Sequence, residues 1–364
     1  MSTIPPIAVS DRIARVVLKG FSALPAVVQR AIAGKPIVID GQELQLSTQL
    51  GLRLISLVGG ESFETKSVPV ARDEVARQLW MIGDPVPVGE IREFEIDGPH
   101  GSIPVRLYRP VDPETDTALV VYYHGGGWVV GDLGECDSVC RFLVKHARVS
   151  VLSVDYRLAP EHRFPKGLDD CLAAFDHAAT HARELGCDPD LVGVAGESAG
   201  GNITAVVSLM TTDRVRMGGA APVPAFQMPF QPVTDLSSKH PSYELFGKGF
   251  GLTEAQMDWY KGHYLNSAEE ALDPRVSPLL AKDLRGLPPA LVVVAGFDPL
   301  RDEALAYAGR MQEAGVPVAV RLFPGATHAE LNATGAGNTS REALLEIVGA
   351  MSVLIGFARA RSRS

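Results

Sequence analysis

The sequence predicts an α/β protein built on a mostly parallel sheet, and three observations carry that expectation. From about residue 118 onward, short apolar runs of strand length alternate with longer segments of helical periodicity, the pattern of a sheet covered by helices on both faces. Just before them, IREFEID (91–97) and SIPVRLYRP (102–110) flank the turn GPHG, and their alternation reads as a hairpin. Third, VGVAGESAGGN (192–202) passes from an apolar run through a glycine-flanked serine into a segment that can open a helix.

In chain order, residues 8–34 and 45–58 carry apolar residues at helical spacing, with Ile13, Val16, Val17 and Phe21 on one face, and both are expected to be helical. The punctuation GDPVPVG (83–89) marks a boundary. Residues 1–88 therefore form a helical N-terminal region without strand signals. After the hairpin, ALVVYYHGGGW (118–128) is a buried strand running into glycines, DSVCRFLVKHA a helix, and VSVLSVDYRLAP (149–160) a further strand. The next helix has Leu168, Cys171, Leu172, Phe175 and Ala179 along its apolar face. Residues 225–236 offer another strand, and 237–270 then break the alternation with a strand-free stretch containing Tyr243, Phe246, Phe250, Trp259, Tyr260 and Tyr264. Such an insert is a candidate cap on a catalytic domain made of 89–236 and 271–364. Alternation resumes with a strand at 290–300, a helix from about 301, a strand at 316–325 and a last helix near 340–360, followed by a basic tail, ARARSRS, expected to be solvated and disordered.

Composition narrows the function classes. At 46% apolar and 21% charged residues the chain is that of a globular protein, with no stretch near the ~18 uncharged apolar residues of a membrane span. A net charge of −9 without a basic groove speaks against nucleic acid as a partner. The N-terminus lacks the pattern of a secretory signal, and the four cysteines show no redox or zinc spacing. A cytoplasmic protein with buried free thiols is expected. His177 and His181 share a helix face, but HAATH lacks the glutamate of a metalloprotease helix and a third ligand, so no metal site is expected.

The chemistry gathers around Ser198, with Gly196 and Gly200 two residues to either side. This is the GxSxG elbow, in which a sharp strand-to-helix turn lifts the hydroxyl above the sheet and directs the first helix amides, here that of Ala199, toward what it attacks. By itself the pattern is an ordinary glycine-rich turn; three further pieces support it. HGGGW (124–128) ends a strand with glycines whose amides can approach a substrate closely; a phosphate loop would need a GxxxxGK[ST] or GxGxxG that is not there. Asp298 follows an apolar strand in AGFDPLRDE and suits the carboxylate that orients a histidine. Asp before Pro is also a helix-capping signal, and Asp302 and Glu303 are rivals, but they fall inside the next helix. His328, in FPGATHAEL, is the single histidine after Asp298, so the order serine, acid, histidine has one solution.

Taken together, HGGGW, DYRLAPEHRFP (155–165), GESAGGN, SPLL (277–280), LPPALVVVAGFDPLRDEALAYA and the final histidine resemble the bacterial hormone-sensitive lipase family of α/β-hydrolases, from about residue 90 to the end. The resemblance implies the α/β-hydrolase fold, with an eight-stranded, mostly parallel sheet and a helical cap from the N-terminal helices and the aromatic insert. It implies Ser198, Asp298 and His328 as a triad, oxyanion amides from Gly126, Gly127 and Ala199, and His124 and Gly125 as shapers of that loop. The expected activity is a serine carboxylesterase acting on short- to medium-chain esters, with a small-molecule ester as partner and no metal or organic cofactor. Homodimers through an edge strand are common in the family. Plant gibberellin receptors also resemble it but lack the histidine that His328 supplies here. Two positions depart from the family pattern: Glu197 stands where the nearest subfamily has aspartate, and His328 is followed by Ala-Glu rather than Gly-Phe. Both are expected to lie away from the triad and to bear on the acyl or leaving-group pocket.

Overall fold

The computed structural model describes residues 7–58, 62–114, 117–328 and 330–362. The N-terminal region holds α1 (Val9–Ser22), α2 (Ala26–Ala33), α3 (Leu46–Val58) and α4 (Val68–Ile82). It is not strand-free as expected, because β1 (Val38–Ile39) and β2 (Gln42–Glu43) pair antiparallel. Their turn is Asp40-Gly41, at φ 54° and 72°, the positive-φ pair that a two-residue hairpin requires. Two-residue strands are too short to show alternation, but the Asp-Gly pair was a readable signal.

The expected apolar face of α1 exists but is not buried: Val9, Ile13, Val16 and Val17 are 49–74% exposed. Contact with α4 is made instead through Arg15, whose guanidinium lies 4.6 Å from the centre of the Trp80 ring and donates to the carbonyls of Trp80 and Gly83.

Beyond Gly89 come β3 (Glu90–Ile96), β4 (Ile103–Arg109), β5 (Leu119–Tyr123), α5 (Asp137–Ala147), β6 (Ser150–Val154), α6 (Lys166–Thr180), β7 (Val192–Glu197) and α7 (Ala199–Arg216). They are followed by β8 (Gln227–Phe230), α8 (Pro241–Phe246), α9 (Glu254–Tyr264), β9 (Ala290–Phe297), α10 (Arg301–Glu313), β10 (Val318–Thr327) and α11 (Thr339–Ser362). Eight strands form one sheet in the order β3-β4-β6-β5-β7-β8-β9-β10. Only β4 runs antiparallel to its neighbours, pairing with β3 as the expected hairpin and with β6 on its other side.

Strand alternation divides the core into two layers. Leu119, Val121 and Tyr123 of β5 pack with Leu168, Cys171 and Phe175 of α6 and with Ile203, Val206 and Val207 of α7. Val120 and Tyr122 point the other way, into a cluster with Val139, Cys140 and Leu143 of α5 and Leu344, Ile347 and Met351 of α11. Helices cover both faces, which is why β5, β6, β7 and β9 are buried along their whole length. All four cysteines are free and buried.

Two expectations about the C-terminal helix are corrected. The basic tail is helical as far as Ser362: Ile355 and Ala358 continue the buried stripe, and Arg359 and Arg361 occupy the last turn, where the helix dipole favours cations. By length and composition α11 could also cross a membrane. One stripe of it, with Leu344, Ile347, Met351 and Ile355, packs into the cluster shared with α5 and the sheet, while Leu345, Val353 and Phe357 on the other side are exposed.

Candidate active site

Strand register assembles the site. β5 and β7 are parallel neighbours with Tyr123 opposite Gly196, so the residues that follow each strand, His124–Gly127 and Glu197–Ser198, emerge side by side at the carboxyl edge of the sheet. β9 and β10 do the same for the other half, with Thr327 opposite Phe297; the next residues are His328 and Asp298. That pairing depends on a bulge. Between Phe323 and Thr327 the register shifts, so that four steps along β10 match the two from Ala295 to Phe297 along β9. The bulge is held from outside by the N-terminal region, where the Gln45 amide donates to the Gly325 carbonyl at 3.0 Å.

At the elbow Ser198 has φ 58° and ψ −116°, a strained conformation for a residue with a side chain. Its amide donates to the Phe230 carbonyl at 2.9 Å, and its own carbonyl accepts from Asn202. The turn is tight enough to exclude any side chain at Gly200, where a Cβ would sit 1.9 Å from the Tyr123 carbonyl oxygen and 2.6 Å from that of His124. Both obstacles are backbone and cannot swing away. Gly200→Ala is therefore expected to lower stability by about 3 kcal/mol in a urea titration; an unchanged midpoint would contradict this packing. Asn202 locks the first turn of α7 by donating to the carbonyls of Val233 and Val276, both at 2.8 Å.

The glycine loop lies against the serine: a Cβ on Gly125 would be 3.6 Å from the Ser198 Cβ. Gly126 and Gly127 have φ of 99° and 58°, and among the described residues their amides have no hydrogen-bond partner. A side chain at Gly127 would strike the Tyr260 ring at 2.2 Å, so α9 closes over the loop. α9 itself begins with a reciprocal cap, Thr253 Oγ1 accepting from the Gln256 amide and the Gln256 side chain accepting from that of Thr253. Trp128 stacks on Tyr264 with ring centres 4.3 Å apart, and Phe63 from the N-terminal region reaches both Trp259 and Tyr260. His124 is buried, stacks on Tyr156 at 4.2 Å, and bonds through Nδ1 to the Gly125 carbonyl. Burial lowers its pKa, which suits a neutral ring that shapes the loop.

His328 Nδ1 donates to Asp298 Oδ2 at 2.8 Å. The other carboxylate oxygen of Asp298 accepts from the Leu300 amide at 2.9 Å, so this aspartate serves both as a turn cap before α10 and as the partner of the imidazole. The rivals point elsewhere: Asp302 accepts from Arg301 Nε, and Glu303 is buried with its carboxylate on the amides of Thr234 and Asp235. Burial pulls the His328 pKa down, but the charge of Asp298, its hydrogen bond and the charge of Glu197 outweigh that effect and leave it above the ordinary histidine value.

A model of the α/β-hydrolase fold family matches residues 120–332. Across 348 residues the sequence is 40% identical to the carboxylic ester hydrolase LipN of Mycobacterium tuberculosis, covering 94% of this chain and 92% of that protein. The chain belongs to the α/β-hydrolase family. This α/β-hydrolase is also 39% identical to an arylesterase of Saccharolobus solfataricus over 72% of its own length and 82% of the relative. It superposes with a TM-score of 0.81 on the ester hydrolase EH1AB1 from the metagenome of Lake Arreo, solved with a derivative of bipyridine phosphonate, at 37% identity over 86% of this chain and 99% of that one. The resemblance read from the motifs therefore holds at the level of sequence and fold, placing the chain with the hormone-sensitive-lipase-like esterases.

In this α/β-hydrolase Glu197 and Glu330, at the two departures from the family pattern, both bond to distant parts of the chain. Glu197 is 4% exposed and its two carboxylate oxygens accept from Asn332 Nδ2 at 2.9 and 2.8 Å. Glu330 turns back to accept from the Thr327 amide and from Thr48 Oγ1 of α3. Ala329 lies outside the described residues. Sequence reasoning marked Glu330 as a departure but missed Asn332 and Thr48, whose partners are 135 and 282 positions away in the chain.

Proposed function

We propose that this α/β-hydrolase is a serine carboxylesterase for esters of short- to medium-chain acids, with Ser198 as nucleophile, His328 as general base and acid, and Asp298 as the group that orients it. The reading rests on the 2.8 Å bond from His328 Nδ1 to Asp298 Oδ2 beside a strained serine elbow. That bond holds the imidazole in the tautomer whose Nε2 can take a proton. Ser198 Oγ adds to the ester carbonyl carbon while His328 Nε2 accepts its proton, and the amides of Gly126, Gly127 and Ala199 donate to the oxyanion. Collapse breaks the bond to the alcohol, whose oxygen takes the proton back from His328. Water then attacks the acyl-serine in the same way, releasing the acid and restoring Ser198. Every proton and electron pair in the cycle is handled by groups of the chain.

The insert 237–270 acts as a cap together with the N-terminal region, a role supported by Tyr260 over Gly127 and by the contacts of Phe63. With Ser198 only 9% exposed and the His328 side chain 7% exposed, the acyl group must fit a confined space, which favours short chains over triglycerides. A cytoplasmic location fits four free buried thiols, and a homodimer through an edge strand, as the resemblance implies, would use β3 or β10.

Initial rates on p-nitrophenyl esters from acetyl to palmitoyl test this reading. Acetyl to about hexanoyl esters are expected to turn over best, with kcat/KM falling about 10-fold or more for each further step that the pocket cannot accept. A folded protein that cleaves none of the series but binds a small ligand would instead be a receptor on the same scaffold, and the esterase reading would be wrong.

A further inference from the structure

The segment that carries His328 is held by two carboxylates, the buried Glu197 and the half-buried Glu330, that take no part in the proposed reaction. Behind it, Glu197 ends β7, next to the nucleophile in sequence, and grips Asn332 with both oxygens. Ahead of it, Glu330 ties the Thr327 amide at 3.0 Å and Thr48 of α3 at 2.8 Å. Asn332 is 9% exposed and Leu331 2%, and the Leu331 carbonyl accepts from Ser340 Oγ at 2.9 Å, so the segment has little freedom once these bonds are made. A buried carboxylate is costly unless its oxygens are satisfied, and Glu197, 4% exposed, is retained with both oxygens on Asn332.

We propose that Glu197 is a positioning residue for acyl transfer, fixing the His328 segment through Asn332 and adding a second negative charge toward the imidazolium that forms during the reaction, with Glu330 and Thr48 bracing the same segment from the other side. The inference rests on the role proposed for His328. Its physical basis is that a displacement of ~1 Å in a general base costs up to ~100-fold in rate, while the bulge in β10 leaves His328 on a segment that strand pairing alone does not hold. The two departures from the family pattern then form one device.

The charged groups around the imidazole are few. Asp298 bonds to His328 from the turn between β9 and α10, and the charge of Glu197 at the end of β7 acts on the imidazole as well; Glu330 lies on the segment itself, and Tyr122 of β5, a phenol that burial keeps neutral, interacts with Glu197. Burial pushes the Glu197 carboxyl above its ordinary range, against the pull of His328 and Asn332. Where the carboxyl is ionised its charge raises the His328 pKa, so removing it moves the acidic limb of kcat/KM to lower pH.

The experiment compares the full-length parent with Glu197→Gln, Glu197→Asp and Asn332→Ala, reading the His328 imidazole titration by NMR beside kcat and KM, with circular dichroism to confirm folding. Glu197→Gln keeps an acceptor for Asn332 but loses the charge, and the titration should move to lower pH. Glu197→Asp keeps the charge but withdraws it from Asn332; it and Asn332→Ala should lose about 10-fold in kcat with KM within two-fold of the parent. The imidazole titration is readable whether or not an ester is turned over, so it separates this inference from the esterase reading. If Glu197→Gln leaves the titration in place and Asn332→Ala keeps the parent kcat, Glu197 is a packing residue and the proposal is overturned.

Discussion

Replacing Ser198 by alanine is expected to lower kcat for a short p-nitrophenyl ester by about 10⁶-fold without loss of fold. In the proposed mechanism the oxygen removed is the atom that bonds to the acyl carbon. What remains is the background provided by binding and by the free amides of Gly126 and Gly127, worth about 10³-fold over water. The backbone makes a second, independent expectation. With φ at 58°, any Cβ at this position is strained, and alanine keeps the strain. Ser198→Gly should match alanine in lost activity yet unfold at higher urea, by about 1 kcal/mol after the entropic cost of glycine is offset. A serine variant that retains activity would remove the nucleophile from the mechanism, and a glycine variant less stable than alanine would mean that the elbow is not strained.

Asp298→Asn is the second large effect, about 10⁴-fold in kcat/KM. The amide can still accept from the Leu300 amide, so the turn before α10 survives, but its NH2 can face His328 Nδ1 and favour the wrong tautomer. The charge and hydrogen bond that raise the His328 pKa also disappear, so the residual activity should reach its plateau at lower pH than that of the parent. Asp302→Asn is the matched control. Its carboxylate serves Arg301 and not the imidazole, and activity should stay within a few-fold. Equal losses in the two variants would show that the acid had been misassigned.

Most of the site was legible from local chemistry. The serine elbow, the three glycines and the strand-end aspartate each need a particular residue type at a particular place in a turn, and such demands are written in consecutive residues. The eight strands and the helices between them were equally readable, because burial on both faces of β5, β7 and β9 leaves uninterrupted apolar runs. The Asp40-Gly41 turn shows the limit of that method, since its strands are shorter than any period.

What the tertiary structure alone decided is which distant residues meet. β5 lies between β6 and β7, out of sequence order, and that exchange sets the glycine loop beside the serine. The bulge in β10 brings His328 level with Asp298, and the N-terminal region crosses over to hold it. Glu197 could be seen in the motif, but not its bond to Asn332, 135 residues away. Nor could the outward face of α1 be told from a buried one, because periodicity shows that a helix has an apolar side and not whether anything packs on it. Local propensity and turn chemistry depend on neighbours in the chain, and the sequence reports them directly. Register, strand order and buried ion placement depend on contacts between residues far apart, which leave no periodic trace in a single sequence.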